Sequence, residues 1–167
     1  CSDRAIRFLE EYGDEDFFLT VSYDEPHGPS LCPAPFNRMY ENFSFDDNEG
    51  FHDDLEDKPL MQKLWAGKNL HATSWELRTP TEKFLGCNSF ADYEIGRVLK
   101  VIDEKMPDAL VIYTSDHGDM LGSHHLNQKN AAIYREVANI PLIIRGGEKG
   151  KIVGAPASHI DLAPTIM

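Results

Sequence analysis

Apolar residues along this chain follow two rhythms. Over Thr81–Lys105 they recur at steps of three and four (Phe84, Cys87, Ala91, Ile95, Val98, Ile102), the spacing of one face of a long helix. Residues 3–12 carry Ala5, Ile6, Phe8, Leu9 and Tyr12 as a second helical stripe, with Ser2 placed to cap it and Gly13-Asp14 to close it. Three other runs, Phe17–Ser22, Ala109–Thr114 and Ile140–Arg145, are short and continuously apolar, and turn residues bound them. Such runs suit strands buried on both faces. Helices alternating with buried strands predict an α/β fold with a mostly parallel central sheet flanked by helices.

Between these elements the pattern weakens. Residues 30–80 are broken by Pro33, Pro35, Pro59 and Pro80, and short helices are predicted around Phe36–Asn42 and Pro59–Gly67. A long connection inside an α/β domain is usually a functional excursion or a lid. The acidic pairs Asp46-Asp47, Asp53-Asp54 and Glu56-Asp57 have no EF-hand spacing and read as a solvated face. His52 and His71 read as surface residues, and Asp92 as an exposed helical charge. A short helix over Asn130–Val137, an edge strand over Gly150–Val153 and a helix beginning at His159–Pro164 complete the prediction. Gly86 and Gly96 each cost their helix roughly 1 kcal/mol relative to alanine, so something is expected to pack closely there.

Composition narrows the class of protein. The 167 residues suffice for one domain with a core, and 41% hydrophobic with 26% charged residues is ordinary for a globular chain. A net charge of −12 argues against a nucleic-acid backbone or an anionic membrane as the main partner. No apolar run approaches the roughly 18 to 20 residues needed to span a bilayer. Cys1, Cys32 and Cys87 are odd in number, lack metal-type spacing and build no disulfide framework, which leaves the compartment open. Cys1 opens directly onto a helical pattern, and Pro164-Thr-Ile-Met167 looks like the first turn of another helix. A piece of a longer protein is therefore expected.

Candidate chemistry gathers where strands end. The Ala109–Thr114 run stops at Ser115-Asp116-His117-Gly118, and ligands in open parallel sheets gather at the carboxyl ends of strands. Asp116 and His117 are a plausible pair of metal ligands there, with Gly118 allowing a sharp turn. His27, in Tyr23-Asp-Glu-Pro-His-Gly-Pro29, follows the Phe17–Ser22 run in the same way. If those two strands are parallel, all three side chains meet over one edge of the sheet. His124 and Lys129 lie in the polar stretch beyond, and His159 and Asp161 at a later helix start. Imidazole with carboxylate suits Zn or Mn, and carboxylate also suits Ca or Mg. Such a metal acts as a Lewis acid on a sulfuryl or phosphoryl oxygen, a lysine neutralises charge there, and a histidine of ordinary pKa about 6.5 protonates a leaving group. Two ligands do not complete a metal site and no nucleophile is evident, so a binding module and an inert α/β domain fit these residues too.

At these residues the chain resembles the sulfatase family of the alkaline-phosphatase superfamily, on the bacterial branch shared with phosphonate monoester hydrolases. The likeness runs through Phe17–Pro29, Asp92-Tyr-Glu-Ile-Gly-Arg97, Tyr113–Asp119, Gly122–Lys129, Ile140–Arg145 and Ser158–Thr165, in the family's order. It implies that residues 1–167 are part of a catalytic domain of alkaline-phosphatase-like fold. Asp116 and His117 match metal ligands, and His27 the histidine that contacts the transferred group and protonates the departing alcohol. Lys129 matches the lysine bridging sulfate and leaving-group oxygens. His124 matches a substrate-side histidine, although Ser123 and His125 depart from that motif. The implied cofactors are a divalent metal, Ca foremost with Mn, Zn or Mg as alternatives, and an upstream formylglycine nucleophile. Neither the N-terminal aspartate pair nor the C/S-x-P-x-R segment is present: Cys1-Ser-Asp-Arg, Cys32-Pro-Ala-Pro and Cys87-Asn-Ser-Phe all fail it. The implied substrate is a small-molecule or glycan sulfate ester. A phosphonate or phosphodiester substrate, or anion binding without catalysis, stands as the alternative, and the segment alone is expected to be inactive.

Overall fold

The computed structural model describes residues 1–43, 49–67, 81–129, 133–146 and 150–167. The sequence readings at Asp46-Asp47, His71, Pro80 and Asn130 fall outside these residues. In chain order the helices are α1 (Ser2–Tyr12), α2 (Leu60–Ala66), α3 (Thr81–Lys105), α4 (Arg135–Ala138) and α5 (Leu162–Ile166). The strands are β1 (Val111–Thr114) and β2 (Leu142–Arg145), and short 3-10 turns lie at Phe36–Arg38, Glu49–His52, Ser123–His125 and His159–Asp161.

The long periodic stretch forms the helix its spacing predicts, with the same bounds. Its face packs on α1: Ala5, Leu9 and Val98 are buried together, and Ile6, Phe8, Val101, Ile102 and Met106 surround them. Arg97 braces the pair, with Nη2 2.6 Å from Asp3 Oδ1 and Nη1 2.7 Å from Glu94 Oε2. Exposed pairs of this kind add at most about 1 kcal/mol, so apolar burial does most of the joining. Ser2 is not the cap. It lies inside the helix, buried, with Oγ 3.0 Å from the Tyr23 hydroxyl. Gly86 meets its expected close neighbour, since a Cβ there would stand 2.4 Å from the Phe36 carbonyl oxygen, whereas Gly96 faces open space.

The sheet differs from expectation. Among the described residues it has two strands, and they pair antiparallel, Val111 with Arg145 through Thr114 with Leu142. Phe17–Ser22 joins no ladder there. It runs as an extended strap whose Leu19 and Val21 turn onto the α1–α3 core while Phe18 is 75% exposed. Alternation against a helix, not burial on two faces, covers this run. β2 is likewise open, with Ile143 61% exposed. No ladder forms at Gly150–Val153, and Ile152 is exposed.

A second core lies under the segment that follows β1. Leu55, Ala66, Met120 and Leu126 are buried together, with Tyr134 and Val137 packed against them. It binds the excursion after residue 48 to the loop beyond Asp116.

Candidate active site

β1 ends at Thr114, whose Oγ1 donates to the Pro141 carbonyl at 2.9 Å and ties the strand end to the approach of β2. Ser115 Oγ then donates to the His117 carbonyl at 2.8 Å, and the His117 amide to Asp116 Oδ1 at 2.9 Å. The Asp116 carboxylate is left 83% exposed. His117 Nδ1 lies 2.8 Å from the Gly118 carbonyl oxygen. A carbonyl only accepts, so Nδ1 carries a proton and Nε2 is the ring nitrogen left for other contacts. That atom stands 3.3 Å from Asp116 Oδ2. An imidazole nitrogen and a carboxylate oxygen side by side are donor types a divalent cation takes, with the ring held from behind by a backbone carbonyl. The residues present thus fit a metal in kind. They do not enclose one: among the described residues no three His, Cys, Asp or Glu side chains converge on a common point.

Gly118 serves a different purpose from the sharp turn expected of it. Its amide donates to the Val137 carbonyl at 2.9 Å, and an added Cβ would sit 2.0 Å from the Glu136 carbonyl oxygen. The residue is small because α4 passes against it. α4 and the metal-type couple are therefore packed backbone to backbone.

Beyond Asp119 the chain folds into a tight loop. Asp119 Oδ1 accepts from the amides of Leu121 and Gln128 at 2.9 and 3.2 Å, and Met120 N donates to Gln128 O at 3.0 Å. Leu121, His124, His125 and Gln128 all have positive φ, between 45° and 62°. Each such residue costs roughly 1–2 kcal/mol, and strain of this kind concentrates at functional loops. The loop ends by presenting Lys129 to solvent.

His124 is the hub of a polar network. Its Nδ1 donates to Asp53 Oδ2 at 2.5 Å, its Nε2 is 3.9 Å from Glu136 Oε1, and its ring stacks on Tyr134 at 4.0 Å. His125 Nε2 donates to the Asp53 carbonyl at 2.8 Å, Ser123 Oγ to Glu136 at 2.7 Å, and Gln62 to the Tyr134 hydroxyl at 2.6 Å. Burial pushes the Asp53 carboxyl up, but hydrogen bonds from His124 and Leu55 and the charge of Lys58 outweigh it and hold the group below its ordinary value. Glu136 is similar: burial raises it, while Ser123, its own backbone, His124 and Arg135 bring it lower. Both stay ionised beside the imidazole. His124 borders an open hollow of about 700 Å³ lined also by Glu49, Gly50, Arg135, Glu136 and Asn139.

Sequence reasoning missed Asp53, Tyr134 and Glu136. Asp53 was expected on a solvated acidic face, yet only 14% of its side chain is exposed. The one local signal is its position between Phe51 and Leu55, both buried.

The other predicted residues sit apart from these contacts. His27 is exposed on a turn in which its amide donates to Asp24 O at 2.9 Å and its carbonyl accepts from the Ser30 amide at 3.0 Å. Its Nδ1 donates to the Gly28 carbonyl at 2.9 Å, which leaves Nε2 outward. No hydrogen bond or ion pair among the described residues joins His27 or Lys129 to Asp116 or His117. His159, by contrast, reaches the couple's backbone: Nε2 donates to the Ser115 carbonyl at 2.8 Å. Asp161 is occupied in a capping box with Ser158.

A model of the sulfatase family matches residues 1–167. The chain belongs to the sulfatase family. It is 42% identical over 99% of its length to an uncharacterized sulfatase, YidJ, of Escherichia coli K12, of which it covers 34%. It is 30% identical over 99% of its length to PehA, a multifunctional alkaline phosphatase superfamily protein of Trinickia caryophylli, of which it covers 36%. Among solved structures, the phosphonate monoester hydrolase SpPMH of Silicibacter pomeroyi superimposes with a TM-score of 0.82 at 28% identity, over 99% of this chain and 36% of that one. This sulfatase-family chain thus spans about a third of the length of the relatives it matches.

Proposed function

We propose that the polypeptide carrying this chain is a sulfuric ester hydrolase acting on a small-molecule or glycan sulfate monoester. The observation that carries the reading is the Asp116–His117 couple, with His117 Nε2 3.3 Å from an exposed carboxylate at a strand end. Membership of the sulfatase family supports it. Asp116 and His117 would hold a divalent cation, Ca or else Mn, Zn or Mg, with ligands from outside this chain; when bound it supplies Lewis acidity at the sulfuryl oxygens. His27 has its Nδ1 proton committed to Gly28, so Nε2 is the atom that delivers a proton to the departing alcohol. Lys129 pairs with the sulfuryl and leaving-group oxygens, and His124 meets the substrate side where it lines the hollow. The nucleophile, a formylglycine, belongs to sequence outside this chain, and so does the rest of a mostly parallel central sheet. This scheme requires His27 and the 116–117 couple to face one cleft.

A second reading is a phosphonate monoester or phosphodiester hydrolase, favoured by the likeness to the Silicibacter pomeroyi enzyme. Rates of the full-length protein on an aryl sulfate and on an aryl phosphonate monoester separate the two. A dominant sulfate rate is expected, and a dominant phosphonate rate selects the second reading. A protein turning over neither, with no C/S-x-P-x-R segment upstream, would be an anion-binding member.

A further inference from the structure

Two of the three cysteines lie together in the tertiary structure, although 55 positions separate them in the chain. Cys87 is on α3 and fully buried, and the Cys32 thiol lies near enough to raise its pKa. Cys32 Sγ also stands 3.4 Å from where a Cβ on Gly86 would be. Both carriers are held in place. The segment after Cys32 packs on α3 through Phe36 against Phe90 and Tyr93, with ring centroids 5.5 and 5.7 Å apart, and Tyr40 bonds Ser89 at 2.8 Å. Cys32 is partly exposed; Cys1 sits elsewhere, exposed, with its thiol on the Ser22 carbonyl.

We propose that Cys32 and Cys87 are a dithiol site that a peroxide closes to a disulfide, stapling the segment that follows His27 to α3. The peroxide reaches the exposed partner first: Cys32 sulfur takes one peroxide oxygen to become a sulfenic acid, and one water (or alcohol) leaves. Cys87 sulfur then attacks the Cys32 sulfur, the S–S bond forms, the S–O bond breaks, and the Cys87 proton departs with the hydroxyl as water. Two thiols are oxidised by two electrons and one peroxide is reduced. Exchange needs a thiolate, so the second step is the slow one. Burial first, then Cys32 and the charge of Glu25, push the Cys87 thiol up to about 12. Closure therefore speeds up in mildly alkaline buffer. The function proposed above is not needed for this site.

The test treats the full-length protein with hydrogen peroxide, then alkylates, digests and maps it by mass spectrometry. The expected result is a Cys32–Cys87 cross-linked peptide lighter by two hydrogens, formed faster as pH rises and reopened by dithiothreitol. C32S should abolish that peptide, and it alters a part-exposed position, so the fold is retained. C87S should leave a Cys32 sulfenic acid that dimedone traps. Alkylatable Cys32 and Cys87 with no linked peptide, while Cys1 oxidises, would overturn the proposal; so would a Cys32 driven to sulfinic acid in the parent protein.

Discussion

Two polar groups stand on the loop that follows β1, and they are satisfied in opposite ways. The Asp116–His117 couple is held from behind by backbone: Ser115, Gly118 and the His117 amide fix it, while its Oδ2 and Nε2 stand 3.3 Å apart with the carboxylate exposed. The Asp53–His124–Glu136 network is half-buried, and its members bond one another and the surrounding side chains. Donors matched to acceptors in a low-dielectric setting rigidify a structure. Exposure and partner accounting therefore separate the candidate site from its scaffold, although both are built of the same residue types.

The comparison breaks most visibly in Asp116→Ala. Turnover by the full-length protein should fall by about a thousandfold, the scale of removing one preorganised charge-stabilising element. Its urea midpoint should barely move, since an exposed substitution shifts stability by roughly 0.5 kcal/mol or less. A large stability loss would place Asp116 with the scaffold. His27→Ala should slow esters of poor leaving groups by about a hundredfold and activated aryl esters far less; equal losses would remove the proton-donor role.

On the scaffold side the expected effects are smaller and appear in stability. Asp53→Ala strands His124 and the Lys58 charge and should cost about 1–3 kcal/mol by chemical denaturation. Gly118→Ala puts a methyl into the Glu136 carbonyl and should cost about 1–3 kcal/mol as α4 shifts away. The smallest effect is on acid sensitivity. The folded values of Asp53 and Glu136 lie below their ordinary 3.8 and 4.5, so their contribution is complete above those values and fades as pH falls through the lower folded ones. Denaturation midpoints followed downward from pH 5 should drop, and Asp53→Asn should flatten that drop. An unchanged slope would show that the network is not what acid disrupts.

Much of this was legible in one dimension because it is local. The spacing of Phe84, Cys87, Ala91, Ile95, Val98 and Ile102 is a property of a helix face, so α3 appears with its expected bounds. Asp116-His117-Gly118 after an apolar run marks a strand end, and the strand is there. What an apolar run leaves unsaid is what covers it. Phe17–Ser22 is covered on one side by α1 and α3, through Leu19 and Val21, and β2 lies antiparallel to β1.

The sequence by itself determined the long helix and the strand end, since each depends on neighbours a few positions away. Only the tertiary structure decided that Asp53 meets His124 from 71 positions off, that Cys32 meets Cys87, and that Gly118 is small because α4 leans on it. Pairings of that kind follow from how cores close over long loops. The free energy that selects them is shared among many weak contacts, so no single residue announces its distant partner.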